Sequence, residues 1–414
     1  MPTSPEPSSL HAGRPLLAVF SATFFVRFAF GITVAVLETY ITGKASLTQQ
    51  AVGAVGAVAA LSPVGEFSTV LLSGVAADRY GRFSVLFSGI ATAACVFVFI
   101  AFTRDIFVLA GANLVYGVAS GAILAASLAI VADHSGSGER GFEMGRFDAM
   151  NLSGWITGFA FGLALEGTVA TSSLRLAFLF GAALLAGGLG FAALLVRGQP
   201  VRHGQKTLVV SEVVRQAFRR NVLLVTLPWL TIYMLIGTAL FFLGSASRGI
   251  GIPSTELAAL IGGGGLVLVL TQPYFGRLAD RFGRTRLMTV GATGFGLVMT
   301  FASLIVAFGP SIPLLAGIGV SILLALMYGP AALAALADLS LEMNRATTMA
   351  IYSLTISVGM LVGLLAASQL YAVLGNLGLY IFFGAIATGL AVLTAARLME
   401  RGGTEPAIAT TPAR

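Results

Sequence analysis

The segment GVAADRYGR, residues 74–82, places one aspartate and two arginines directly behind the apolar run AVGAVGAVAALSPVGEFSTVLLS (51–73), in a chain of which only 10% is charged. A second segment, GRLADRFGRTR at 276–286, again follows an apolar run. Whatever the charges do at the first site, the architecture that requires them occurs twice.

Hydrophobic residues make up 57% of the 414, and the mean hydropathy is +0.93. Twelve apolar stretches can be counted, each long enough to cross a ~30 Å hydrocarbon core as a helix. In the first half they run Leu16–Gly43, Gln50–Ser73, Phe83–Phe102, Ile106–Ala132, Phe142–Thr168 and Arg175–Val196. In the second half they run Asn221–Ser247, Thr255–Phe275, Leu287–Phe308, Ile312–Ala337, Ala346–Leu374 and Leu377–Leu398. A membrane barrel would need ~10-residue alternating strands; runs such as LVLVL are too continuous and too rich in neighbouring glycine for that. The fold class expected is therefore an all-α polytopic membrane protein with 12 transmembrane helices.

The net charge of +7 would suit a nucleic-acid partner, but its placement argues for a membrane instead. With the N-terminus inside, nineteen of the 24 Lys and Arg fall in inner segments, four in outer loops (Lys44, Arg104, Arg175, Arg248), and Arg27 lies within the first stretch. That asymmetry is the positive-inside rule, and it puts both termini in the cytoplasm; the membrane expected is the plasma membrane of a prokaryotic cell. The first stretch is too long, and too polar at Arg27, for a cleaved signal peptide. Cys95, the single cysteine, excludes a disulfide within the chain and lies in apolar surroundings that disfavour a reactive thiol.

The polar segment RGQPVRHGQKTLVVSEVVRQAFRRN (197–221) divides the stretches six and six. Residues 1–15 and 400–414 are expected as disordered tails, 16–196 and 221–399 as six-helix bundles, and 197–220 as the central cytoplasmic loop. The SEVVRQAFRR end of that loop reads either as a surface helix with Val213, Val214 and Phe218 toward lipid or as a solvated linker. Sliding one half over the other aligns Gly74, Asp78, Gly81 and Arg82 with Gly276, Asp280, Gly283 and Arg284 at an offset of 202. An offset of 205 carries Asp133 onto Asp338, Arg140 onto Arg345, and Gly154 and Gly158 onto Gly359 and Gly363. Six helices return the chain to its starting side, so these are two repeats in the same orientation.

The doubled G-x-x-x-D-R-x-G-R signature, the six-plus-six stretches and the long central loop resemble the major facilitator superfamily of transporters, over essentially all of the membrane-embedded chain. Where many members carry arginine in the fourth helix, this chain has Asn113, four residues before Gly117. In the fifth, GWITGFAFG keeps Gly154, Gly158 and Gly162 but lacks the proline of the drug–proton antiporter branch. The resemblance implies that the doubled motif forms a charge cluster latching the two halves while the cavity opens outward. Asp78 would then face the start of the eleventh helix near Arg345 and Ala346, and Arg79 or Arg82 would meet Asp133. Asp280 would lie by the fifth helix, Arg281 or Arg284 would meet Asp338, and Arg140 would be the counterpart of Arg345. Gly74, Gly81, Gly276 and Gly283 would supply close approach and tight turns. The plainer alternative, a positive-inside anchor, leaves the matched aspartates without a purpose.

Ionisable groups at membrane depth cost ~2.5–3.5 kcal/mol even on insertion scales, so each is a functional candidate. Arg27 and Glu66 sit at depths of ~16 and ~12 Å from the inner side, close enough for a pair across the first hairpin. Glu66 is read either as the carrier of coupling protons, with Glu38 a further candidate nearer the outer mouth, or as half of a permanent ion pair. None of His11, His134 and His203 lies in a helix core, so carboxylates would have to carry any protons.

In the resembled fold, helices 1, 4, 7 and 10 line the cavity, which implies a lining of Arg27, Asn113, Tyr116, Ser120, Trp229, Tyr233 and Tyr328. Trp229, Tyr233, Gly237 and Phe241 recur at spacings of four, which serves either cavity or packing. Helices 5 and 11 would face the opposite half, making Gly154, Gly158, Gly162, Gly359 and Gly363 a sliding interface. Gly262–Gly265, Pro273 and Pro63 are expected points of bending.

No Walker-type loop occurs, Lys44 and Lys206 being the only lysines, and no His/Cys/Asp cluster suggests a metal, so no cofactor, metal or enzymatic activity is expected. The leading expectation is a secondary active transporter that exports a small organic, drug-like solute against protons by rocker-switch alternating access. A proton-coupled or facilitative importer of a metabolite, favoured by the missing proline, is the alternative. A non-transporting sensor or scaffold on the same fold is a third class. The partners expected are a small-molecule substrate, protons and lipid, with no nucleic acid, and the resemblance implies a monomer.

Overall fold

The computed structural model describes residues 9–42, 49–136, 139–170, 173–197, 222–223, 225–234, 237, 254–309, 311–338, 349–366, 386 and 389. In the first half the helices are α1 (Ser9–Thr42), α2 (Gln49–Tyr80), α3 (Arg82–Ala101), α4 (Ile106–His134), α5 (Arg140–Thr168) and α6 (Arg175–Leu195). In the second half they are α7 (Val225–Met234), α8 (Ser254–Val269), α9 (Gln272–Phe282), α10 (Arg284–Phe308), α11 (Ile312–Leu326), α12 (Tyr328–Asp338) and α13 (Met349–Ala366). Eight spans among the described residues are long and apolar enough to cross a membrane. Helix α5 is not one of them: Glu143, Arg146 and Asp148 lie in its first half, and the stretch beyond them is diluted by Asn151, Glu166 and several glycines.

Several elements depart from the sequence reading. Helix α1 starts at Ser9, inside the tail expected to be disordered. The eighth apolar stretch is two helices, broken at Leu270 and Thr271, where Pro273 opens α9 without the N–H that would continue α8. The tenth stretch breaks at Met327, ahead of Pro330, which the sequence reading had not singled out. Pro63, by contrast, lies inside an uninterrupted α2. Residues 198–220 of the central loop, including its amphipathic end, and the tail 400–414 lie outside the described residues.

The two charged turns have the same backbone. Gly81 between α2 and α3 has φ 98° and ψ 135°, and Gly283 between α9 and α10 has φ 93° and ψ 136°. Side chains rarely tolerate that φ, so glycine is what allows each helix to restart one residue later.

Glycine also sets which helices approach most closely. A Cβ on Gly154 or Gly158 would stand 2.4 or 2.1 Å from the Phe24 or Phe28 carbonyl oxygen of α1. A Cβ on Gly359 or Gly363 would stand 2.6 or 2.1 Å from the Leu230 or Met234 carbonyl of α7. These glycines therefore seat α5 on α1 and α13 on α7, each within its own half, and not across the sliding interface expected of them. The reason is one of faces: the face of α5 turned to the other half carries Ile156 and Ala160, which meet Gly265 and Gly262 of α8. In the same way, Gly65 and Gly117 bring α2 and α4 into backbone contact, through the Leu114 and Ser62 carbonyls.

Candidate functional site

The halves meet first at the arginine-rich face, where both charged turns lie. Arg82, not Arg79, pairs with Asp133 at the end of α4, and its Nη2 is 3.5 Å from Asp78. Arg79 is exposed and lies over the Tyr80 ring. In the second copy Arg284, not the exposed Arg281, pairs with Asp338 and donates to the Ala334 carbonyl at 3.2 Å. Asp338 also accepts from Arg140 Nη1 at 2.6 Å, which ties α12 to the start of α5 in the other half. Asp280 caps α5 directly, its two oxygens accepting from the Gly141 and Phe142 backbone N–H groups at 3.0 Å each. A carboxylate there meets both the unpaired donors and the positive end of the helix dipole. Gly276 makes this approach possible, since its Cβ would fall 2.1 Å from the Gly141 carbonyl oxygen. Gly74 is buried at the matching point of α2. Arg345 and Ala346, the expected partners of Asp78, lie outside the described residues.

The second meeting point is deep in the bundle. Gly117 and Gly121 leave room for α2 against α4, and a Cβ at 121 would touch Glu66 Cγ at 3.2 Å. That contact turns Glu66, 7% exposed, toward α4 and across to α13. Ser353 of α13 donates to its carboxylate, the Ser120 hydroxyl lies beside it, and Ser357, one turn along α13, donates to the Ser353 carbonyl at 2.8 Å. Arg27 faces the other way and donates from Nε to Asn151 Oδ1 at 2.7 Å. The direct Arg27–Glu66 ion pair anticipated across the hairpin is thus not formed among the described residues: the α2–α4 crossing directs the carboxylate away from α1. The Arg27 guanidinium is near enough for its charge to favour the ionised form of Glu66 and likewise of Asp148, 3% exposed on α5.

Asp148 sits where α5 meets the second half. Its Oδ2 would be 2.5 Å from a Cβ on Gly329 of α12, and Trp229 Cη2 would lie 3.5 Å from the same point. Trp229 stacks on Tyr233 (5.5 Å, 18°) and meets Tyr328 and Tyr352 edge-on at 5.6 and 5.1 Å. The Tyr233 and Tyr352 hydroxyls are 3.1 Å apart, and Tyr328 donates to the Val225 carbonyl at 2.7 Å. In this arrangement the α7 stripe packs on α13, with Gly237 against the Met360 carbonyl.

Of the other expected lining residues, Asn113 is buried and donates to Leu109 of its own helix at 3.0 Å. Tyr116 is buried and lies parallel to Phe30, the ring centroids 6.0 Å apart. Glu38 lies in α1. Phe241 is outside the described residues.

The sequence reading missed Asp148, Asn151, Tyr352 and Ser353. Asp148 could have been found by applying to the fifth stretch the same census of membrane-depth carboxylates that picked out Glu66. Ser353 and Ser357 share a helix face by their spacing of four, but nothing in the sequence says that this face meets Glu66.

The fold is shared with solved transporters. The human organic anion transporter MFSD10 (TETRAN) superposes with a TM-score of 0.71 at 18% identity, over 95% of this chain and 100% of that one. The proton:xylose symporter XylE bound to 6-bromo-6-deoxy-D-glucose gives 0.72 at 16%, over 95% and 96%. FucP in its outward conformation gives 0.69 at 15%, over 93% and 98%. Among curated proteins nothing matches the sequence. The sequence profile of the Major Facilitator Superfamily matches residues 19–250 and 240–413. Two six-helix repeats joined through doubled Asp–Arg turns, the shared architecture and a profile match along nearly the whole chain together establish that this integral membrane protein is a transporter, not an enzyme, and belongs to the major facilitator superfamily.

Proposed function

We propose that the protein is a proton-coupled secondary transporter of a small organic solute, exporting it by rocker-switch alternating access. The observation that supports this most is the pair of buried carboxylates, Glu66 and Asp148, on either side of Arg27, each touching the opposite half through Ser353 or Gly329. A charge buried at the contact between two moving halves is stabilised differently in each arrangement, so its proton can be exchanged for a conformational change. Glu38 is retained as a further proton site. The solute would enter between the halves beside Arg27, Asn113, Tyr116, Ser120, Trp229, Tyr233 and Tyr328, an aromatic and largely uncharged wall suited to an amphipathic organic molecule.

The contacts of Asp78, Arg82, Asp133, Arg140, Asp280, Arg284 and Asp338 are proposed as the latch of the closed arginine-rich face, which we assign to the cytoplasm together with both termini of a monomer. The bundles 16–196 and 221–399 would rock as units. Import is the second reading, favoured by the absence of a proline in α5.

The test is proton movement in energised everted vesicles challenged with lipophilic cations, aromatic acids and sugars. For the wild type, at least one compound should release the gradient, and neither Glu66→Gln nor Asp148→Asn should do so. Equilibration of labelled compounds without proton movement would establish a facilitator instead.

A further inference from the structure

Between α1 and α4 lies a cavity of about 10 Å³, lined by Thr23, Val26, Arg27, Ser120, Ile123, Leu124 and Ser127. Thr23 and Ser127 are 3% and 0% exposed, and the hydroxyl oxygen of each is buried with no hydrogen-bond partner. Two hydroxyls of this kind lining one cavity from facing helices are costly if nothing satisfies them. Helical serine and threonine can bond back to a carbonyl one turn earlier, as Thr33 does to Ala29 at 3.2 Å. Thr23 and Ser127 do not, so their hydroxyls remain available to an occupant.

Among the described residues, the terminal nitrogens of Arg27 also have no hydrogen-bond partner, its Nε alone being engaged by Asn151. Ser120 joins the cavity to the carboxylate described above, since it lines the one and presents its hydroxyl to the other.

We infer that this cavity binds one water molecule, held by Thr23, Ser127 and Arg27, that connects Arg27 to Glu66 through the Ser120 hydroxyl. The volume suits a single water, and three or four polar partners are what a buried water requires. A metal cation is opposed by the Arg27 guanidinium at the wall. A halide is opposed by the nearby Glu66 and Asp148 carboxylates and by its larger radius. Arg27 and Glu66 thus form a pair mediated by water, in which a change at one group reaches the other without direct contact. The functional weight of that link rests on the proposed role of Glu66 as a proton site.

The experiment is a structure of the purified wild type at a resolution that shows ordered water, beside that of Thr23→Val/Ser127→Ala, checked for unchanged elution and thermal stability. One density peak within hydrogen-bond distance of Thr23 Oγ1, Ser127 Oγ and Arg27 is expected in the wild type, with loss of that peak in the double variant. An empty cavity, or an anomalous peak there after bromide soaking, overturns the inference. Infrared spectroscopy reads the link: the carboxyl band that disappears in Glu66→Gln should exchange its proton with D₂O about tenfold more slowly in the double variant. Unchanged exchange with the peak present refutes the bridge. Absence of any such band in the wild type removes the proton role of Glu66, while the density peak alone still decides the water.

Discussion

Arg140, at the start of α5, donates to Asp338, at the end of α12, over 2.6 Å, and the same carboxylate pairs with Arg284 from its own half. One aspartate therefore serves both an internal and an inter-half contact. Asp338 is partly solvated, at 37% side-chain exposure, so solvent screening limits the worth of the bridge. Asp338→Asn is expected to shift the balance away from the closed arginine-rich face by about 1 kcal/mol, roughly fivefold in population. Maleimide labelling of a cysteine introduced at the fully buried Ala337, in a Cys95→Ala background, should accelerate accordingly. Unchanged labelling would assign the bridge a role in anchoring alone.

The cap on α5 gives a separate prediction. Asp280→Ala removes the acceptor of two backbone N–H groups and should cost about 1–2 kcal/mol, seen as a lower unfolding temperature in detergent. Asp280→Asn, which keeps one acceptor oxygen, should lose about half as much. Gly283→Ala should destabilise by about 1–2 kcal/mol through its φ of 93° alone, although no atom lies within 4 Å of the added methyl.

Asp148 makes no ion pair among the described residues. Asp148→Asn should therefore leave the unfolding temperature nearly unchanged while abolishing proton-coupled flux in vesicles. A large drop in stability with flux retained would make Asp148 structural. Gly329→Ala, which would push a methyl to 2.5 Å from Asp148 Oδ2, should impair flux by displacing that carboxylate.

Glycines of the same composition class should respond oppositely to substitution. Gly158→Ala places a methyl 2.1 Å from the Phe28 carbonyl oxygen and should destabilise by about 1–3 kcal/mol. Gly263→Ala, in a helix with nothing within 4 Å of the new atom, should be neutral or stabilise by up to about 1 kcal/mol. Thermal unfolding of the two variants separates packing glycines from merely permissive ones.

Much of this organisation was legible because it is periodic or repeated. The offset of 202 that aligns Gly81 with Gly283 predicted two turns of one kind, and their φ and ψ agree to within a few degrees. Arg82 and Arg284 were each named alongside a neighbouring arginine, and sequence could not choose between them. The choice follows from helix geometry: Arg79 and Arg281 end α2 and α9 facing outward, whereas Arg82 and Arg284 begin the next helix beside its N-terminal neighbours. The Gly154/Gly158/Gly162 row was recognised as a close-packing face, yet its partner was misassigned, because spacing defines a face and not what lies against it.

From sequence alone came the apolar spans, the twofold repeat, the paired Asp–Arg turns and the presence of Arg27 and Glu66 at membrane depth. All of these depend on local periodicity or on the cost of a single charge in hydrocarbon, which any one segment carries by itself. Only the tertiary structure decided that Arg27 engages Asn151 and not Glu66, that Ser353 holds Glu66 from the other half, and that Asp148 meets Gly329. Those outcomes depend on how far each helix is rotated about its axis, and that rotation is set jointly by the glycines at every crossing, where removing one side chain lets two backbones meet and turns every other residue of the helix to match.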